Sequence, residues 1–272
     1  MTFPGERRSV RLMTYNIHRW AGRDKRLDVA RTADVIRMAD ADIVGLNEVL
    51  NPIDISGRQE EPLRELAETL GMHYAFGASG WIDRGPGWRG PVGNAILSRS
   101  ALSDVSNVGL PRFLGSKRRS LLGATLTQGP AAGLTVFVTH LDHAFEGTRL
   151  FQVNGILRHI RSRRAHFLMG DFNTPGLGGR FTRKLLPPVL RRLRGQGYHD
   201  AFHHVGVGEG LTFPASSPFV RIDFLFFPDD CAQGLRSARA LDQTNVHSAS
   251  DHRPVVAEWA WPSKLPNWAV AS

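Results

Sequence analysis

The sequence predicts an α/β fold in which two β-sheets pack face to face and helices cover their outer surfaces. Eight short apolar segments rich in β-branched residues have the length of strands, and only three segments carry a clear helical period. The helical segments are separated by paired strand candidates, and GPAAG at residues 129–133 suits a hairpin turn. These three observations favour packed sheets over a regular strand–helix alternation.

Each element is assigned from apolar residues bounded by turn residues. The predicted strands are 10–16, 43–48, 94–98, 121–127, 134–141, 166–171, 222–227 and 254–259. The predicted helices are 28–38, 62–70 and 146–161, and Gly71 suits a left-handed cap after the second of them. The glycine-rich segments 85–93 and 176–179 are predicted as a surface loop and a hinge that border a site.

Length and composition describe one globular domain, which we expect to span residues 1–272. Of these residues, 42% are hydrophobic and 22% charged, and no internal repeat divides them. No apolar run approaches the roughly 18 residues of a membrane span, and the N-terminal residues lack the apolar region of a secretory signal. The single cysteine, Cys231, excludes an intramolecular disulfide and a thiolate metal cluster. A cytoplasmic monomer is therefore expected.

The charge balance indicates an anionic partner. There are 34 Lys and Arg against 25 Asp and Glu, which gives a net charge of +9. Many of the basic residues fall in two runs: Arg158, Arg161, Arg163 and Arg164, then Arg180, Arg183, Lys184, Arg191, Arg192 and Arg194. Such runs attract phosphate-rich ligands, although a solvated arginine-rich surface is an equally good explanation of charge alone.

Four segments place polar side chains at the ends of apolar strands, where a cleft forms most easily. They are MTYNIH at 13–18, LNEV at 46–49, GDFN at 170–173 and SDHRP at 250–254. Taken singly, each suits a turn or a helix cap. Together they supply the carboxylates Glu48, Asp171 and Asp251, and a fourth, Asp223, is costly to bury among its apolar neighbours without a partner.

A hard divalent cation is the natural ligand of such oxygen atoms. Magnesium prefers carboxylates, amide oxygens and water, so Glu48 and Asp251 are the predicted metal ligands, and the lack of closely paired histidines argues against zinc. Asp223 is the candidate to orient His252 as a His–Asp dyad. His140, at the end of a predicted strand, is a candidate proton donor or phosphate ligand, and a structural histidine is its alternative.

Seven motifs resemble, in order along the chain, those of the endonuclease/exonuclease/phosphatase superfamily. They are MTYNIH, LNEV, GNAILSR, THLDH, MGDFN, RIDFLF and SASDHRPV, and the resemblance spans nearly the whole chain, from Asn16 to Pro254. The resemblance implies a four-layer α-β-β-α sandwich with two mixed β-sheets flanked by helices. It also implies a deoxyribonuclease-like phosphoesterase that uses Mg²⁺ or Mn²⁺.

The resemblance also implies roles for individual residues. Glu48 is the implied metal ligand, with Asn16 and Asp251 close to the same ion. Asp171 and Asn173 are implied to position the attacking water and the phosphate, and His252, paired with Asp223, to act as base or phosphate stabiliser. The implied phosphate ligands are His140, Asn173 and Arg119.

Departures from the motifs narrow the expected activity. Asn47 stands where glutamine commonly precedes the metal-binding glutamate. His140 resembles deoxyribonuclease-like and sphingomyelinase-like members rather than abasic-site enzymes, which tend to have asparagine there. RIDFLF lacks the cysteine typical of inositol polyphosphate 5-phosphatases. A nuclease or phosphodiesterase acting on nucleic acid is therefore the favoured function. A phosphodiesterase of anionic lipid headgroups, an inositol or sugar phosphatase, and a non-catalytic phosphate-binding module are the alternatives.

Overall fold

The computed structural model describes residues 9–55, 57–83, 85, 88–129, 131–161, 165–176 and 186–261. The strands of this part of the chain are β1 (Ser9–Asn16), β2 (Ile43–Leu50), β3 (Ile53–Ile55), β4 (Arg58–Glu60), β5 (His73–Asp83), β6 (Arg89–Ser98), β7 (Leu102–Gly109), β8 (Ser120–Leu126), β9 (Thr135–His140), β10 (His166–Gly176), β11 (Tyr198–Asp200), β12 (Arg221–Pro228), β13 (Leu235–Ala240) and β14 (Val255–Ala260). The helices are α1 (Val29–Ala39), α2 (Pro62–Leu70), α3 (Glu146–Ile160), α4 (Pro188–Arg194), α5 (Ala201–Val205), α6 (Asp229–Ala232) and α7 (Thr244–Ala249), with a 3-10 turn at His18–Trp20.

The strands form two mixed sheets. The first has the order β13-β14-β1-β2-β6-β3-β4, with β5 also paired to β6, and the second has the order β11-β12-β10-β9-β8-β7. Each sheet has one parallel pair of central strands, β1 with β2 in the first and β9 with β10 in the second. The other neighbours of these four strands are antiparallel to them. Parallel neighbours bring their carboxyl ends to the same edge of a sheet.

Three apolar clusters divide the fold into four layers. One cluster packs α1, α2 and α7 on the first sheet, through residues such as Ile36, Leu66 and Val246. A second lies between the two sheets, and a third packs α3 and α4 on the outer face of the second sheet. Helices therefore cover both outer surfaces, which confirms the four-layer α-β-β-α sandwich.

Each predicted strand and helix is present, although β6 begins five residues earlier and β10 ends five residues later than predicted. The helix at 62–70 has the predicted limits, and Gly71 adopts the left-handed cap with φ +61°. Antiparallel β8 and β9 form the predicted hairpin around residues 129–133, of which Pro130 lies outside the described residues.

The two glycine-rich segments differ from their predicted roles as a loop and a hinge. The loop predicted at residues 85–93 is wrong in its second half, because β6 begins at Arg89 and pairs with β5 through Pro91 opposite Trp81. Of the predicted hinge at 176–179, Gly176 ends β10 and residues 177–179 lie outside the described residues.

The two faces of each central strand have different neighbours. In β1, Met13 and Tyr15 belong to the helix-facing cluster, whereas Val10 and Leu12 face the second sheet. The same alternation of period two holds for the other central strands. No helix of the described residues is long and apolar enough to cross a membrane.

Candidate active site

The layer between the two sheets changes from apolar to polar at one end. Deep in this layer the inward-facing side chains are Leu12, Ile96, Val138, Met169 and Leu225. On the same face of each strand, two or four residues further towards this end, the side chains are polar instead of apolar. They are Asn16, Asn94, His140, Asp171 and Asp223. All five are at least nine-tenths buried. The polar residues therefore share one face because of strand alternation, not because they are neighbours in sequence.

Asp171 lies at the centre of this group. Its Oδ2 accepts a hydrogen bond from Asn16 Nδ2 at 3.0 Å, which joins the two sheets, and its Oδ1 accepts the backbone N–H of Asn173 at 2.9 Å. The Nε2 atoms of His140 and His252 lie 3.4 and 3.8 Å from the same Oδ2. One carboxylate oxygen thus faces two imidazoles and an amide.

Asn47 holds the backbone of this group in place, and sequence reasoning did not identify it as a site residue. Its Oδ1 accepts the backbone N–H of Asp171 at 2.8 Å, and its Nδ2 donates to Asn94 Oδ1 and to the carbonyl of Thr139, both at 2.9 Å. Asn47 is fully buried and is paired in register with Asn16. A residue noted only as a departure from a motif therefore connects β2 to β9 and β10.

His252 is held by the predicted dyad. Its Nδ1 lies 2.9 Å from Asp223 Oδ2, which leaves Nε2 to face Asp171. The backbone N–H of His252 donates to Ser250 Oγ at 3.2 Å, and that hydroxyl donates to the carbonyl of Asn16 at 2.6 Å. The SDH segment is therefore fastened to the end of β1, and the histidine is fixed at both its backbone and its ring.

Burial and mutual charge shift the titration of these groups. Burial, and next the charge of Asp223, raise the pKa of Asp171 to about 7. Burial alone lowers the pKa of His252, but the charge and the hydrogen bond of Asp223 outweigh it and bring that pKa to about 10. Burial and the nearby charge of Arg119 hold the pKa of His140 well below its usual range. Without metal, His252 is charged at neutral pH and His140 is not.

Glu48 enters the site through a bulge in β2. The register of β2 with β6 shifts between Leu46 and Val49, and Glu48 itself has φ +54°. Its Oε2 makes no hydrogen bond but lies 3.2 Å from Nε of Arg19. Arg19 belongs to a turn in which three consecutive non-glycine residues, 18–20, have positive φ. Positive φ at such residues is uncommon and is found where the surrounding structure imposes it.

Two sets of side chains are candidates to hold a divalent cation. Glu48, Asp251 and Asn16 are the predicted ligands, and Asn16 links them, since it pairs with Asn47 beside Glu48 and accepts from Ser250 beside Asp251. Carboxylate and amide oxygens suit magnesium. The ligand atoms of Asp171, Asp223 and His252 also lie within 4.8 Å of one another, and Asp223 Oδ1 is buried without a hydrogen bond.

The two predicted phosphate ligands outside this group lie in different settings. Asn173 has φ +48° at a second register shift, in β10, and its Nδ2 donates to the carbonyl of Leu141 at 3.1 Å. Arg119 lines a cavity together with Glu48 and His140, and its Nε is buried without a hydrogen-bond partner. Burial lowers the pKa of Arg119 against the opposing charges of Asp171 and Glu48. Both residues lie beside the central group.

The described arginines of the two basic runs lie elsewhere. Arg158 and Arg161 line a cleft of about 380 Å³ with Arg192 on the outside of α3 and α4. Because a helix rises 1.5 Å per residue, Arg158 is roughly 18 Å along α3 from Glu146, the end nearer the site. Arg163, Arg164, Arg180, Arg183 and Lys184 lie outside the described residues. The described arginines of these runs do not line the site.

Comparison with known proteins decides the family. The sequence model described as the Endonuclease/Exonuclease/phosphatase family matches residues 13–252. The chain belongs to the endonuclease/exonuclease/phosphatase family. This is a family of phosphoester hydrolases, so the chain is an enzyme of that class. Among functionally curated sequences, none matches the chain significantly.

Solved structures of the endonuclease/exonuclease/phosphatase family share the fold. An endonuclease/exonuclease/phosphatase from Beutenbergia cavernae is 24% identical, with a TM-score of 0.76 over 93% of this chain and 72% of that one. The 3'-5' exonuclease of Neisseria meningitidis is 21% identical, with a TM-score of 0.66 over 92% of this chain and 100% of that one. The mannosyl-6-phosphatase of Bacteroides thetaiotaomicron is 17% identical, with a TM-score of 0.66 over 91% of this chain and 98% of that one.

Proposed function

We propose that this family member is a divalent-metal-dependent phosphodiesterase that cleaves nucleic acid by in-line attack of water. The observation that carries the proposal is the position of Asp171 Oδ2, which faces His140 and His252 and is held by Asn16 from the opposite sheet. Two imidazoles, a carboxylate and amide donors converge on one point at the open end of a rigid layer. This is an arrangement suited to binding a phosphate and activating a water.

In the proposed hydrolytic step, some side chains of the site transfer a proton and others bind the phosphate. Asp171, beside the charged His252, takes a proton from the water as the water oxygen attacks phosphorus opposite the leaving oxygen. A new P–O bond forms, the bond to the leaving oxygen breaks, and a proton returns to that oxygen, so that one water is added across one P–O bond. Asn173, His140 and Arg119 donate hydrogen bonds to the phosphate oxygens, where negative charge grows. One such donor is typically worth about 3–4 kcal/mol.

Glu48, Asp251 and Asn16 are the proposed ligands of the cation. When bound there, a Mg²⁺ or Mn²⁺ ion supplies Lewis-acid polarisation of the phosphate. The guanidinium of Arg19 lies 3.2 Å from Glu48 Oε2 and so contributes a second positive charge beside this set. We place the ion at this set rather than at Asp171, Asp223 and His252, because His252 is charged at neutral pH and its Nδ1 is held 2.9 Å from Asp223 Oδ2, so the ring offers no free lone pair to a metal.

Nucleic acid is the proposed substrate for two reasons. The net charge of +9 favours a polyanion. The Neisseria protein of the same fold is described as a 3'-5' exonuclease and also as a 3' phosphatase bound to a product DNA hairpin. A basic enzyme of this family is suited to the same class of ligand.

A substrate panel tests the proposal. Single- and double-stranded DNA and RNA are incubated with magnesium, manganese or calcium, or with EDTA, beside the variants His252→Ala and Asp171→Asn. We expect salt-sensitive cleavage that requires a metal and falls about two to three orders of magnitude in each variant. Absence of polynucleotide cleavage under every condition would remove the nuclease assignment, and full activity of His252→Ala would remove the site.

Two observations favour other phosphoesters, a lipid headgroup and a sugar phosphate, as alternative substrates. Phe113 and the fully exposed Leu114 form an apolar loop tip close in sequence to Lys117 and Arg118, which is the type of surface that meets an anionic membrane. The Bacteroides structure of the same fold is described as a mannosyl-6-phosphatase. Phospholipid vesicles and sugar phosphates are therefore included, and preferential hydrolysis of either would replace nucleic acid as the substrate.

A further inference from the structure

A cavity of about 450 Å³ adjoins the proposed reaction centre, and the proposed chemistry does not use most of it. Glu48 and His140 form part of its wall. The remainder includes Trp81, Lys117, Arg118 and Arg119, which come from the end of β5 and from the segment before β8. Its volume falls within the range of about 300–1,000 Å³ typical of ligand pockets.

Three of the four basic residues that line this cavity lack an acidic partner among the described residues. Lys117, Arg118 and Arg119 form no ion pair with any carboxylate of the described residues. Of the acidic residues in the wall, Asp83 is already paired with Arg89 at 3.4 Å and Glu48 with Arg19 at 3.2 Å. Elsewhere, arginines such as Arg31, Arg149 and Arg221 are each bound to a carboxylate. Three consecutive unpaired cations in one cavity indicate a ligand with negative charge beyond a single phosphate.

Trp81 adds a planar apolar surface to the same cavity. Its side chain is 64% exposed, whereas Trp20 and Trp259 are fully buried. The backbone of β5 at this point is held by pairing with Pro91 of β6. An aromatic ring on a rigid strand beside unpaired cations is the combination that binds single-stranded nucleic acid, because bases stack on the ring while cations contact the backbone.

We propose that this cavity is a nucleotide subsite, in which Trp81 stacks against the base next to the scissile phosphate and Lys117 and Arg118 bind the neighbouring phosphodiester. The inference rests on the proposed function, whose substrate it narrows to an unpaired strand or strand end. In a duplex, the face of a base is covered by its neighbours and is not available to Trp81.

The test compares two ligands that differ only in their bases. Binding of fluorescein-labelled oligo(dT) and of the matching abasic phosphodiester strand is measured by anisotropy, in the Asp171→Asn background and with calcium. Trp81→Ala should weaken the binding of oligo(dT) about tenfold or more. The factor by which it weakens the binding of the abasic strand should be smaller by about threefold or more. Trp81→Phe should restore most of the difference. Tyr74→Ala, which removes an exposed aromatic ring from the same strand, is the matched control.

The cations are tested through salt. The double variant Lys117→Gln/Arg118→Gln should weaken both strands alike and reduce the slope of log K against log salt by about 1.4, since each contact with a single strand contributes about 0.7. Circular dichroism spectra and melting temperatures of all variants show whether they fold.

The outcomes separate the subsite from the activity. If wild-type protein cleaves oligonucleotides or bis(p-nitrophenyl) phosphate but Trp81→Ala weakens both strands equally, the stacking proposal is overturned and the hydrolase stands. If no phosphoester is cleaved with any metal, the proposed function fails instead. If Trp81→Ala weakens the binding of mannose 6-phosphate, or of phosphatidylglycerol vesicles, more than it weakens the binding of oligo(dT), the nucleotide subsite is overturned. The cavity is then assigned to a sugar or a lipid.

Discussion

The side chain of Asn16, at the end of β1, donates a 3.0 Å hydrogen bond to Asp171 in β10 of the other sheet. This contact fixes the position of Asp171 Oδ2 relative to the two histidines. Asn16→Ala removes the donor and leaves a buried carboxylate short of a partner. We expect the turnover to fall by about a hundredfold or more. We also expect the free energy of unfolding to fall by about 1–3 kcal/mol. Steady-state kinetics and urea denaturation measure the two effects.

Asn154→Ala is the control for this variant, since Asn154 accepts a hydrogen bond from Arg192 on the exposed side of α3. It should change neither quantity by more than a small amount. Wild-type turnover in Asn16→Ala would show that Asp171 does not depend on the contact between the sheets.

Asn47 is expected to matter for stability more than for proton transfer. Asn47→Leu keeps the volume but leaves the N–H of Asp171 and the carbonyl of Thr139 without side-chain partners in a buried layer. We expect a loss of about 1–3 kcal/mol in the free energy of unfolding, measured by urea denaturation. Asn107→Leu, which removes an exposed contact to the carbonyl of Ala78, should cost much less. Equal losses would contradict the structural role of Asn47.

Asp223→Asn should remove the positive charge of His252 at neutral pH while the ring keeps its position. The amide keeps a hydrogen-bonding group near Nδ1 but removes the negative charge, so burial then dominates and the pKa of His252 falls from about 10. NMR titration of the metal-free protein should show His252 charged through pH 8 in wild type and neutral there in the variant. Turnover should fall about 10²–10⁴-fold, as for loss of an oriented acid–base group. An unchanged titration would show that Asp223 does not set the charge.

Metal binding distinguishes the two candidate ligand sets. Glu48→Gln should weaken Mg²⁺ binding at least tenfold in isothermal titration calorimetry, because it removes a charged oxygen ligand. Asp223→Asn should weaken it far less, and Glu68→Gln, at an exposed position on α2, should have no effect. The reverse order, with Asp223→Asn the more damaging change, would place the ion at Asp171, Asp223 and His252.

Asp171 makes the stability of the metal-free protein depend on pH. Its pKa is about 7 in the folded chain and near 3.9 when unfolded. Because the folded value is the higher one, the stability that this group contributes is complete below the unfolded pKa and is lost as pH rises to about 7. Urea denaturation in EDTA should therefore show wild type losing stability relative to Asp171→Asn across this interval. A constant difference between the two would contradict the shift, and Asp34→Asn, an exposed substitution, is the control.

Much of the site follows from strand periodicity in the sequence. Asp171 lies two residues after Met169, and Asp223 two residues before Leu225, so each polar side chain shares a face with an apolar neighbour of the same strand. His252 and Asp223, the candidate dyad of the sequence, lie 2.9 Å apart. The same alternation would have included Asn94 and Asn47, had it been applied to the amides as well as to the carboxylates.

Other features depend on backbone geometry that no periodicity encodes. Glu48 points into the site because β2 bulges there, and Arg19 approaches it from a turn with positive φ. The strands β5 and β7 were not predicted, since β5 contains Gly77 and Gly80, and β7 is a largely exposed edge strand with Asp104 and Asn107. Glycine and polar residues lower strand propensity, and pairing with β6 and β8 overrides it.

The abrupt change from apolar to polar side chains between the sheets also bears on how the chain folds. If a central strand slipped by one position, its polar terminus would turn towards the helices and its charges would enter an apolar layer. Such misaligned pairings are therefore costly, and the groups that prepare a phosphoester for attack also help to select the one alignment in which they meet.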